Sequence, residues 1–189
     1  MKRGEIHYFD KPGPENTQAC LKLLDKAVSE GYRHAVVAST TGDSGAQAAR
    51  LLSGKEVNLV VVGHCVGFKG PNIDEFLDEH YREITKQGGK VLKATILTHS
   101  LDTAIADQFK GSAPTLLIAN TLRRLGQGLK VCCEIVMEAT DAGLIPESAE
   151  VVAAAGTARG WDTLAIIRSA ASKRFLNLAV LEIWAKPRG

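Results

Sequence analysis

Short, predominantly apolar runs separated by longer one-faced stretches set the pattern of this chain. Residues 6–9, 35–38, 59–62, 91–94 and 151–154 form the runs, most of them closing on Gly, Ser, Thr or His. They do not alternate with polar residues, which suits strands covered on both faces, the mark of a parallel sheet between helices. Between the runs, residues 17–30 carry Cys20, Leu23, Leu24, Ala27 and Val28 at the three-and-one spacing of a single helical face. Asn16 stands where an N-cap would and Gly31 where a stop would. Residues 44–53 and 74–87 read as helices too, the second closed by Gly88 and Gly89. Further helices are predicted over 101–109, over 115–125 up to Gly126, and over 129–142 before Gly143 and Pro146. Two last runs, 164–168 and 180–185, have no helix-length gap between them and predict an antiparallel pair added to one edge.

Alternating β and α units predict an α/β fold of three layers. A mostly parallel sheet carries helices on both faces, with a C-terminal antiparallel strand pair. No Pro-, Ser- or charge-rich linker breaks the chain, so residues 1–189 are expected to form one domain.

Composition narrows the function classes. Lys plus Arg number 23 against 21 Asp plus Glu, a net charge of +2, so no basic excess points to nucleic acid or to a membrane surface. No apolar run approaches the roughly 18 residues of a membrane span, and the start of the chain has Lys2 and Arg3 but no apolar stretch behind them. Cys20, Cys65, Cys132 and Cys133 include no CxxC pair, so no structural metal is expected. Free thiols without a leader predict a cytoplasmic protein.

In an open parallel sheet, ligands bind beyond the carboxyl ends of the strands. After the second run comes Ser39-Thr40-Thr41-Gly42-Asp43-Ser44-Gly45, leading straight into a helix. Its hydroxyls, its glycines and a helix N-terminus offer donors to a phosphate. The same hydroxyls would also serve simply as helix caps, and Asp43 repels a phosphate unless its carboxylate turns outward. The turn has neither the GK[ST] of a Walker loop nor GxGxxG. After the fifth run comes Gly156-Thr157-Ala158-Arg159-Gly160-Trp161-Asp162-Thr163. There a guanidinium can fork a phosphate and an indole can stack on a planar ring, or Arg159 pairs with Asp162 in a plain surface loop. After the third run, His64 is a candidate acid–base group and Cys65 a candidate nucleophile, neither with an identifiable partner. Gly67 and Phe68 are expected to line a pocket for a flat ligand. His99 is a weaker candidate of the same kind, and His7, His34 and His80 need no ligand to explain them. Lys130, just inside a helix start, marks a further anion site or pairs with Glu134 four residues on.

Two of these loops resemble a known domain. Residues 35–46 and 151–168 are similar, in order and spacing, to the effector-binding turn and final effector loop of the pyruvate kinase C-terminal domain. The catalytic barrel of that enzyme has no counterpart in 189 residues, so kinase activity is not implied. Over nearly its whole length the chain more closely resembles a stand-alone archaeal and bacterial family with this fold. The matching stretches are 8–9, 12–17, 37–42, 126–132, 141–146 and 156–160.

The resemblance implies a bound flavin mononucleotide (FMN). Its phosphate would lie on Ser39, Thr41, Gly42 and Ser44, beside Thr40 and Asp43, with Arg159 neutralising it. Its ring would lie near His64, Gly67, Phe68 and the loop of Gly156, Thr157, Arg159 and Gly160. Ser44-Gly45 stands where the family has Thr-Ala or Ser-Ala. Two other readings follow: a sugar-phosphate sensor that catalyses nothing, and an interaction domain whose Ala-rich helices pack in a homo-oligomer.

Overall fold

The computed structural model describes residues 4–189; Lys2 and Arg3 lie outside them. Seven strands form one sheet: β1 (His7–Phe9), β2 (His34–Ala38), β3 (Asn58–His64), β4 (Lys90–Ala94), β5 (Glu150–Ala155), β6 (Thr163–Arg168) and β7 (Ala179–Pro187). Their order is β1-β7-β6-β5-β2-β3-β4. β6 is antiparallel to both its neighbours, and every other pairing is parallel. The α/β class and the antiparallel β6–β7 pair are therefore as expected. The pair does not close the sheet, because β1 pairs in parallel outside β7 and forms the edge itself.

Six helices connect the strands: α1 (Thr17–Ser29), α2 (Asp43–Leu52), α3 (Asp78–Lys86), α4 (Leu101–Phe109), α5 (Pro114–Arg123) and α6 (Gln127–Asp141). The helix expected from residue 74 begins only at Asp78, since the amide of Phe76 is taken by the Asp74 carboxylate in a tight turn. Asn16 does not cap α1 with its side chain; its amide reaches back to the carbonyls of Lys11 and Gly13.

The continuous apolar runs are explained by burial on two sides. Along β2, β3 and β5, Ala35, Val37, Leu59, Val61, Val152 and Ala154 face one core, with Cys20, Leu24, Ala46 and Ile84 from α1, α2 and α3. The intervening Val36, Val60, Val62, Val151 and Ala153 face a second core, with Leu129, Cys132, Cys133 and Val136 from α6. Period-two alternation thus sorts two apolar sets to opposite faces. Burial pushes the Cys20 and Cys133 thiols up to about 12, so both act as packing groups rather than nucleophiles. Gly45, in the first turn of α2, is a point of close approach: a Cβ there would stand 2.4 Å from a γ-methyl of Val61. The glycine lets α2 lie close on the sheet directly behind the hydroxyl-rich turn.

The chain runs from β2 outward through β3 and β4, then returns to place β5 on the other side of β2. The carboxyl ends of β5 and β2 therefore flank a switch point, the place where an open α/β sheet leaves a crevice. No helix among the described residues is long and apolar enough to cross a membrane.

Candidate functional site

The crevice at the switch point has two adjoining compartments. The larger, about 630 Å³, is lined by Ser39, Thr40, Thr41, Asp43 and Ser44 on one side and Gly156, Ala158, Arg159 and Gly160 on the other. The smaller, about 220 Å³, runs inward over α6 and is lined by His64, Phe68, His99, Lys130, Glu134 and Glu138 among others. Ala38, Ser39, Thr40, His64, Gln127 and Val131 border both.

The turn after β2 is braced from within. Ser44 Oγ donates to Ser39 Oγ at 3.0 Å, and the amide of Gly45 donates to the same Ser39 oxygen at 3.2 Å. Both serines are buried, so they shape the turn. Gly42 has φ 93°, and a Cβ there would lie 2.5 Å from the His80 Cβ and 2.8 Å from the Phe76 ring. The carbonyl of Thr41 accepts from the Leu77 amide and from His80 Nδ1. That carbonyl therefore points away from the crevice. Among the described residues, the backbone amides of Thr40, Thr41, Gly42, Asp43 and Ser44 have no protein partner, and neither do the Thr40 and Thr41 hydroxyls. The Asp43 carboxylate is exposed and accepts from Gln47 Nε2 at 3.0 Å. A run of free amides at a helix N-terminus is an anion cradle.

The facing loop is fixed by two buried residues that the sequence placed differently. Asp162, fully buried, accepts from the amides of Gly13 and Thr157 and from the Thr163 hydroxyl. It is thus occupied, and Arg159, exposed, makes no ion pair among the described residues. Trp161, expected as a stacking surface, is wholly buried instead. Its Nε1 donates to the Ala38 carbonyl at 2.7 Å and its amide donates to Thr17 Oγ1. The indole is drawn inward because its large apolar surface fills the α1-side core while its one polar atom caps the end of β2.

His64 gains a partner that no short spacing reveals. Its Nδ1 lies 3.0 Å from Glu75 Oε2, and the Phe68 ring tilts over the imidazole with centroids 4.5 Å apart. Nε2 is left as the ring nitrogen without a protein partner among the described residues. Gly67 is exposed, and neither it nor Thr157 lines either compartment.

The chemistry of the smaller compartment comes mainly from α6. Lys130 and Glu134 form a buried ion pair. The other Glu134 oxygen accepts from the Thr98 amide and hydroxyl. Thr98 Oγ1 meets His99 Nδ1 at 2.8 Å, and His99 Nε2 meets Arg123 at 3.2 Å. Burial and the nearby Lys130 charge lower the His99 pKa, and burial also lowers that of Lys130 despite Glu134. Burial, helped by Glu134, raises Glu138 to about 8. Sequence reasoning treated Lys130 as an anion site or a partner of Glu134, and passed over Glu138. The available signal was three charged residues at four-residue spacing in a stretch, 129–139, whose other residues are all apolar.

Among the described residues no group of three or more His, Cys, Asp or Glu side chains is placed to hold a metal ion. No family model matches the sequence.

Proposed function

We propose that this chain binds FMN, or a similar phosphorylated planar ligand, across the β5–β2 switch point, in a fold of the pyruvate kinase C-terminal kind. The observation that carries this reading is the turn Thr40 to Ser44, whose amides have no protein partner among the described residues: its Thr40, Thr41, Asp43 and Ser44 line one crevice with Arg159, which makes no ion pair among those residues. The residues present fit the group. The amides and Arg159 suit a phosphate, the Asp43 carboxylate is held by Gln47, and His64 with Phe68 offers an aromatic wall where the two compartments meet. The larger compartment, about 630 Å³, lies in the range of small-ligand sites, and the smaller, about 220 Å³, extends it inward.

When bound, a flavin supplies hydride or single-electron transfer. The chain's own residues do the rest. The amides and Arg159 hold the phosphate, and Glu75 fixes the tautomer and direction of His64. His64 Nε2 is the atom placed to give or take a proton at the ligand.

The purified protein is expected to carry or take up FMN, seen as paired visible bands that pass into the supernatant after acid denaturation. Arg159→Ala lowers FMN affinity about tenfold to a hundredfold, the worth of a charge-assisted hydrogen bond of about 1.5–3 kcal/mol. Thermal unfolding stays unchanged, since Arg159 is exposed and unpaired. A protein that takes up no FMN but binds a sugar phosphate would overturn the flavin and support the sensor reading.

A further inference from the structure

Helix α6 is buried on nearly every side, yet Lys130, Glu134 and Glu138 follow one another at four-residue spacing along it. They form one polar row, and they are only 2, 3 and 7% exposed. All three line the inner compartment, whose mouth shares Ser39 and Thr40 with the anion cradle. Burying ionisable groups costs several kcal/mol each before pairing, and apolar residues of the same size would serve a core at least as well. A purely structural role therefore does not account for an amine and two carboxyls turned toward an internal space.

We propose that Lys130 is an imine-forming lysine, and that the ligand it captures is a phosphorylated aldehyde or ketone whose phosphate rests on the Thr40–Ser44 turn. The inference rests on the phosphate half of the reading above. The surroundings match the chemistry. A nucleophilic lysine must lose its proton, and burial moves Lys130 in that direction while Glu134 stands in contact to receive it. Glu138, held neutral by burial, is the proton donor on the next turn of the helix.

The steps balance without oxidant or reductant. The Lys130 ammonium passes a proton to the Glu134 carboxylate. The free amine adds its lone pair to the carbonyl carbon, forming the C–N bond. The C=O π pair moves to oxygen, which takes the Glu138 proton. One proton on the new ammonium nitrogen returns to Glu138. The hydroxyl then leaves as water with the proton held by Glu134, and the nitrogen lone pair closes the C=N bond. The product is a protonated imine facing the Glu134 carboxylate, so the charge of the original ion pair is preserved.

Pyridoxal 5′-phosphate, a planar phosphorylated aldehyde, is the probe. The full-length protein is incubated with it, reduced with borohydride, digested and mapped by mass spectrometry, with FMN binding measured in parallel by fluorescence. The expected result is one principal label, on Lys130, suppressed by inorganic phosphate. Lys130→Arg keeps a cation opposite Glu134 and abolishes the label. Glu138→Gln slows labelling at least tenfold. Labels scattered over surface lysines and unchanged in Lys130→Arg, with FMN binding intact, overturn the imine alone. Labelling of Lys130 without FMN binding supports the lysine and sinks the flavin. Neither labelling nor FMN binding overturns both.

Discussion

Trp161→Ala lowers the free energy of unfolding by about 3–5 kcal/mol, the usual cost of deleting a fully buried large aromatic side chain. Trp161 has no exposed surface and packs in the core beneath α1. Its removal also deprives the Ala38 carbonyl of the indole N–H at 2.7 Å. That bond ties the end of β2, where the anion turn begins, to the loop that carries Arg159. The variant therefore loses ligand affinity as well as stability. Trp161→Phe separates the two effects: it keeps most of the volume, leaves the Ala38 carbonyl to the longer bond from Ser44 Oγ at 3.3 Å, and costs about 0.5–1.5 kcal/mol for the lost indole hydrogen bond. Urea denaturation of the three proteins checks the order, and an alanine variant within 1 kcal/mol of the parent would contradict the placement.

Glu138→Gln makes the protein progressively more stable than the parent as pH rises from about 4.5 to about 8. Glu138 sits among Glu134, Lys130 and Asp141 and accepts from the Leu97 amide, and burial dominates, holding its pKa near 8 against an ordinary 4.5. A carboxyl whose folded pKa is raised contributes stability that is complete below its unfolded pKa and is lost as pH climbs to the folded one. The parent thus declines across that window by a few kcal/mol, at about 1.4 kcal/mol per unit at most. Glutamine, neutral throughout, removes this component. Chemical denaturation at intervals between pH 4 and 9 reads it directly. Parallel curves for the two proteins would mean that Glu138 ionises in the folded state as it does in water.

Much of the fold was legible because both faces of the sheet are covered. Covered strands leave uninterrupted apolar runs such as 59–62; four of the five runs and both C-terminal runs lie within strands of the sheet, and the first, 6–9, overlaps β1 at all but Ile6. The hydroxyl-rich turn was legible for a related reason: Ser39 to Ser44 combines polar residues and glycine immediately after such a run, where the topology opens the crevice. Position in the sheet was less legible. β1 is only three residues long and pairs with the last strand of the chain, a contact that no local pattern encodes.

Side-chain direction was harder still. Trp161 and Arg159 are two residues apart, yet one is core and the other solvent-facing, and only the backbone course through residues 156–162 decides which. His64 and Glu75, which pair, stand eleven positions apart in the sequence. Lys130, Glu134 and Glu138 have the spacing of an ordinary solvated face, and they became chemically interesting only when α6 proved to be buried around them.

The central claim is that the Thr40–Ser44 amides and Arg159 hold a phosphate. Fluorescence titration of the protein with FMN and, separately, with riboflavin tests it most directly, since the two ligands share the ring and differ only in the phosphate. FMN is expected to bind at least a hundredfold more tightly than riboflavin, from two or more charge-assisted hydrogen bonds at about 1.5–3 kcal/mol each. Equal affinity for the two would contradict the cradle, and binding of neither would contradict the flavin reading as a whole.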